Sequence, residues 1–82
     1  MLVSAQVSIY PLRQEHLGQS VRAFADVLTA AGLQPRTGPM STLVTGEADV
    51  LFGALRDAFR AAAATGHVVM TLTLSNACPV GE

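Results

Sequence analysis

The chain has 82 residues, half of them hydrophobic and only 13% charged, and its five basic residues, all arginine, stand against six acidic ones for a net charge of −1. A chain this short buries only about 60% of the surface its unfolded form exposes, so a marginal monomer with apolar surface outside its core, and hence self-association, is expected. Scattered arginines give no electrostatic footprint for nucleic acid or an anionic membrane, and a lone Cys78 makes neither an intrachain disulfide nor a CxxC metal or redox site.

No apolar run approaches the ~20 residues of a membrane span. The opening residues, from Met1 to Gln6, lack the basic region and long apolar core of a leader peptide. One domain over residues 1–82, cytoplasmic and without membrane insertion, is the expectation.

From Val3 to Tyr10 apolar and polar residues alternate, which predicts a strand with Val3, Ala5, Val7 and Ile9 on one face and Ser4, Gln6, Ser8 and Tyr10 on the other. Pro11 should stop it. Leu17, Val21, Phe24, Ala25 and Leu28 recur at helical spacing, so a helix is predicted over about residues 16–31, with Gly32 as its terminator. Leu33 to Thr37 reads as a short strand that Pro35 confines to a sheet edge.

Gly38-Pro39 is a turn dipeptide, and Thr42 to Thr45 make the strand running back. Gly46 then reads as a break before a second helix over about residues 48–65, whose core stripe is Leu51, Leu55, Ala58, Phe59 and Ala62 and whose end is Gly66. Finally Val68, Met70, Leu72 and Leu74 alternate with Val69, Thr71, Thr73 and Ser75 in a last strand.

This order, βαββαβ, predicts an α+β ferredoxin-like sandwich: a four-stranded antiparallel sheet with strands one and three in the centre and both helices on one face. Val3, Ala5, Val7, Ile9, Val68, Met70, Leu72 and Leu74 should meet the helices. Gln6, Ser8, Tyr10, Thr71, Thr73 and Ser75 line the other face, which is polar yet nearly uncharged and suits a subunit interface or a flat polar ligand.

Little points to catalysis. His16 and His67 have no partner at metal-ligand spacing, and Ser8 and Ser41 have no adjacent base that the sequence identifies. Acidic Glu47 and Asp49 complement the dipole of the second helix, or face a ligand. Phe52, one step off the apolar stripe, is either core or a ligand wall, and Met40 beside Ser41-Thr42 fits a pocket or a turn.

The runs Val7-Ser8-Ile9-Tyr10-Pro11-Leu12 and Met40-Ser41-Thr42-Leu43-Val44 with Gly46, the segment from Leu51 to Arg60, and the ending from His67 to Ser75 together resemble the YkoF family of thiamine and hydroxymethylpyrimidine binders. The resemblance covers nearly the whole chain. It implies the same fold and non-catalytic binding of thiamine or its pyrimidine part, without a cofactor, in uptake or salvage. Members with two such domains in one chain contrast with the single domain here, which implies a homodimer or homotetramer.

An aminopyrimidine offers an NH₂ donor and ring-nitrogen acceptors, so hydroxyls or carboxylates around an apolar slot suit it. Ser8, Tyr10, Ser41, Thr42, Glu47 and Asp49 supply the polar types, with Met40, Phe52 and Met70 as walls. Two alternatives stand beside this reading: a cofactor-free enzyme of the dimeric α+β barrel type using His67 or Tyr10, and a structural or regulatory oligomerisation module.

Overall fold

Alternation in the first strand decides the layers. The computed structural model describes residues 1–12, 17–38 and 41–77. Pro39, Met40, His16 and Cys78, and the side chain of Leu17, lie outside the described residues. Six elements follow in order: β1 (Leu2–Pro11), α1 (Leu17–Ala30), β2 (Arg36–Thr37), β3 (Thr42–Glu47), α2 (Ala48–Ala63) and β4 (Val68–Ser75). They form one antiparallel sheet in the order β2-β3-β1-β4, with the two helices on one face, which is the predicted ferredoxin-like arrangement.

Val3, Ala5 and Val7 of β1 are buried with Val44 of β3 against Phe24 and Leu28 of α1 and Leu51, Ala54, Leu55, Ala58 and Ala62 of α2. The helices also meet through hydroxyls: Ser20, fully buried, lies 2.7 Å from Thr65 Oγ1, which donates to the Ala62 carbonyl at 2.7 Å. That pair fastens the first turn of α1 to the end of α2.

Glycines end both helices with positive φ, Gly32 at 89° and Gly66 at 143°. After α1 the Gly32 N–H donates to the Thr29 carbonyl at 3.0 Å and the Leu33 N–H to the Leu28 carbonyl at 3.1 Å, the two bonds of a Schellman cap. Leu33 completes the cap by burying its side chain in the core. The second strand is accordingly shorter than the expected Leu33 to Thr37, because the Leu33 backbone is committed to the helix end.

Three further expectations are corrected. Gly46 is no break: it lies inside β3 opposite Val3, and a Cβ there would come within 2.6 Å of Leu33 Cδ2, so the missing side chain makes room for the core leucine. Pro11 is the last residue of β1 rather than a stop before it, paired with Val68 beyond the point where β3 runs alongside, and the ladder continues through the Leu12 N–H to the His67 carbonyl at 2.8 Å. Leu72 and Leu74 share the face of Val7 and Ala5 but remain 40% and 37% exposed, because on this edge strand only Val68 and Met70 pack against the helix-covered core.

Candidate functional site

Two hollows open at the surface of this fold, and they divide the residues selected from sequence. The first arises from a step in the sheet. Strand β1 runs on to Pro11, whereas β3 begins at Thr42, opposite Val7, so the side of Ser8 and Ile9 toward β3 has no strand beside it. Ser8, Thr37, Gly38, Ser41 and Thr42, with Val7, Ile9 and Val21 of α1, line a hollow of about 110 Å³ there.

Local chemistry holds this shape. The Gly38 N–H donates to the Ser41 carbonyl at 2.8 Å and closes the hairpin, and a Cβ on Gly38 would stand 3.3 Å from that same oxygen. Gln6 Nε2 donates to Ser41 Oγ at 3.3 Å and orients the hydroxyl. Thr37 pairs with Thr42, which pairs with Val7, so Thr42 is held in a row of three strands and is buried. Thr37 and Thr42 share the helix-covered face of Val7, whereas Ser8 alternates to the open face, where Gln6 also meets Ser41, so the hollow at the start of β3 is lined by hydroxyl-bearing residues from both faces of the sheet beside Val7, Ile9 and Val21, without a charge among them.

The second hollow, about 440 Å³ and more open, lies near the start of β1, under the first turn of α2 and against the end of β4. Met1, Val3, Ala48, Phe52 and Leu74 make it mostly apolar, with Ser75 and Asn76 at its margin. Phe52 is half exposed rather than core, since the buried stripe of α2 runs through Leu51, Ala54 and Leu55.

The remaining selected residues go elsewhere. Glu47 stands at the N-cap of α2 but makes no capping bond with its side chain; its Oε1 accepts from the Met1 ammonium at 3.0 Å. Asp49 is exposed in the first turn of α2, where it complements the helix dipole. Tyr10 is exposed on the open face opposite Val69, and Met70 packs on the opposite, helix-covered face against the core. Those two cannot share a pocket. Met40 lies outside the described residues.

Sequence reasoning missed Thr37, Gly38, Val21, Val7 and Ile9. The signal for the first was available, since a hairpin closed about Gly38-Pro39 sets Thr37 against Thr42. Val21 belongs by spacing to the apolar stripe of α1, and no periodicity distinguishes the stripe residue that overhangs a gap.

Among the described residues no group of three or more His, Cys, Asp or Glu could hold a metal ion, and no helix is long and apolar enough to cross a membrane. One exposed pair shows a shifted titration: Arg56 Nε donates to Asp57 Oδ1 at 2.9 Å and holds that carboxyl below its ordinary range. It stands on the solvent side of α2.

The fold recurs in solved structures. A hypothetical protein of Methanocaldococcus jannascii superposes with a TM-score of 0.81 at 25% identity, over 99% of this chain and 84% of its own. A Streptococcus pneumoniae protein gives 0.82 at 23% identity, over 100% of this chain and 89% of its own. A Thermotoga maritima protein, for which a role in thiamine biosynthesis or salvage has been suggested, gives 0.79 at 17% identity, over 90% of this chain and 82% of its own. No curated protein matches by sequence. The model of the YKOF-related family matches residues 2–81, nearly end to end, and the chain belongs to that family.

Proposed function

We propose that the protein binds the pyrimidine part of thiamine, or free hydroxymethylpyrimidine, in the hydroxyl-lined hollow at the β2–β3 hairpin, and releases it unchanged. The observation that carries this reading is one small uncharged hollow lined by four hydroxyl-bearing residues, Ser8, Thr37, Ser41 and Thr42, together with Val7, Ile9 and Val21. An aminopyrimidine alternates donors and acceptors round its edge, and hydroxyls, which serve as either, can match all of them. Membership of the YKOF-related family, and the thiamine-related role suggested for the Thermotoga relative, support the choice of ligand.

Size narrows the ligand. One water needs roughly 10–15 Å³, so about 110 Å³ corresponds to several waters or one substituted six-membered ring. Pockets that enclose a drug-sized ligand run to about 300–1,000 Å³, so the thiazolium of whole thiamine has to lie outside this hollow or against a second subunit. A homodimer or homotetramer is therefore part of the proposal, in agreement with the apolar excess of so short a chain.

The test is a thermal melt with thiamine, its phosphates and hydroxymethylpyrimidine. A ligand present at about 100 times its Kd, binding only the folded form, adds roughly 2.7 kcal/mol. For a domain of this size each kcal/mol moves Tm by about 4–8 °C, so a rise on the order of ten degrees is expected. No shift with any of these compounds contradicts the reading. Appearance of a cleaved or modified product on prolonged incubation, followed by mass spectrometry, contradicts the non-catalytic part of it.

A further inference from the structure

Gln6 occupies the middle of the sheet. Its backbone is paired on both sides, with Leu43 of β3 and Thr73 of β4, and its side chain stands exposed on the open face. It does not line the hairpin hollow, yet its Nε2 donates at 3.3 Å to the Oγ of Ser41, which does, 35 positions away in the chain. Ser41 is fixed from its backbone as well, since its carbonyl accepts the 2.8 Å bond from the Gly38 N–H that closes the turn. A lining hydroxyl is thus held at its main chain and engaged at its oxygen by a residue outside the hollow.

A serine hydroxyl has one proton and two lone pairs, and by itself it has no bias between donating and accepting. Here the carboxamide N–H takes one lone pair of Ser41 Oγ and repels the hydroxyl proton from its own side. Accepting one hydrogen bond also polarises the O–H group and strengthens the bond it donates next. Ser41 therefore meets the hollow chiefly as a donor.

From this arrangement we infer that Gln6 is a positioning residue that sets the hydrogen-bond polarity of the hollow. The site then selects aminopyrimidines, which present a bare ring nitrogen to Ser41, over pyrimidinones, whose corresponding nitrogen carries a proton. The inference rests on the pyrimidine-binding reading above and names what that site discriminates. The two ring classes have nearly the same outline, so the apolar walls Val7, Ile9 and Val21 do not tell them apart. A 4-aminopyrimidine offers a lone pair beside an NH₂ donor, whereas its 4-oxo counterpart offers an N–H beside a carbonyl. Setting donor against donor leaves both groups unbonded, and rejection of that kind outweighs the effect of a missing methylene.

The experiment is isothermal titration of hydroxymethylpyrimidine and of its 4-oxo analogue, at mildly alkaline pH where both rings are uncharged. The proteins are the wild type, Gln6→Glu, Ser41→Ala and Gln6→Glu/Ser41→Ala. Glutamate matches glutamine in shape but, when ionised, only accepts, and Leu43 and Thr73 opposite it carry no charge. In Gln6→Glu the Ser41 proton turns to the carboxylate, and the hydroxyl meets the ligand with a lone pair.

The wild type should favour the amino ring by about tenfold or more, and Gln6→Glu should shrink that preference at least tenfold or reverse it. On the Ser41→Ala background the same substitution should change the preference by less than about threefold, because the group through which Gln6 acts is gone. A plain charge effect would persist on that background and would overturn the inference. Equal affinity of the wild type for the two rings, a comparison that needs no variant to fold, overturns it too. So does an unchanged preference in Gln6→Glu, whether or not both affinities fall, and in each of these cases the pyrimidine site stands. A wild type that binds neither ring overturns both.

Discussion

The two hollows lie toward opposite ends of β1 and differ in the property that decides what each can hold. The one at the hairpin is about a quarter the volume of the other, yet four hydroxyl-bearing residues line it, whereas the larger hollow offers a phenylalanine, a leucine and a methionine to solvent. Volume alone selects the wrong one for a polar heterocycle. A ring with several hydrogen-bonding atoms loses its water on entering a site, and only a lining that replaces those bonds makes entry favourable. An apolar hollow gains instead by being covered with apolar surface.

The largest expected change in stability tests the framework that both hollows share. Gly46→Val puts a branched side chain where Leu33 already packs, so the loss should be about 1–3 kcal/mol, a fall of roughly 4–24 °C in Tm. The increment that a ligand adds to Tm should survive, because Gly46 lies four residues along β3 from Thr42. If that increment vanishes, the hairpin hollow depends on the whole sheet rather than on its own local closure.

Next comes a contrast between the hollows themselves. Ser41→Ala and Thr42→Val each remove one hydroxyl, and each lost bond to a bound ring should cost about 1 kcal/mol, with a fivefold or greater rise in Kd for hydroxymethylpyrimidine. Phe52→Ala should leave that Kd alone. A reversal, with Phe52→Ala abolishing binding and the hydroxyl variants neutral, would exchange the roles of the two sites.

How much of this was legible before the coordinates depended on whether the cause was local. Gly32 announces a helix end because positive φ is a property of its own backbone, and the alternation from Val3 to Ile9 specifies a buried face without reference to anything distant. Gly46 carries the same letter as Gly32 and reads locally as a break, but its reason is the leucine that arrives from the end of α1. Leu72 and Leu74 obey the same alternation as Val7, but their exposure is set by where two helices stop, and that is a tertiary fact.

The site divides in the same way. Ser8, Ser41 and Thr42 line one hollow: the Gly38-Pro39 signal places Ser41 and Thr42 after a turn, whereas Ser8 arrives from β1 across the sheet. Tyr10 and Met70 were added for chemical type and turn out to occupy opposite faces of the sheet, which strand parity alone already separates. Glu47 engages the chain's own ammonium, a contact between residues 46 positions apart that no motif announces.

The smallest effect belongs to the solvent side of α2, far from both hollows. The hydrogen bond from Arg56 lowers the folded pKa of Asp57, so the pair's contribution is present above the unfolded carboxylate pKa and lost as pH falls through the lower folded value. Both groups are exposed and screened by water, so Asp57→Asn should leave Tm at neutral pH within about a degree or two. A fall of many degrees would mean that this face is buried in an assembly.

The central claim is that hydroxyls at the hairpin, and not the larger apolar hollow, hold a pyrimidine. Isothermal titration of hydroxymethylpyrimidine into the wild type, Ser41→Ala/Thr42→Val and Phe52→Ala tests it most directly. Saturable binding to the wild type and to Phe52→Ala, lost or weakened at least tenfold in the double hydroxyl variant with its Tm retained, is the predicted result. Equal binding to all three proteins, or heat from Phe52-containing proteins alone, would contradict the account.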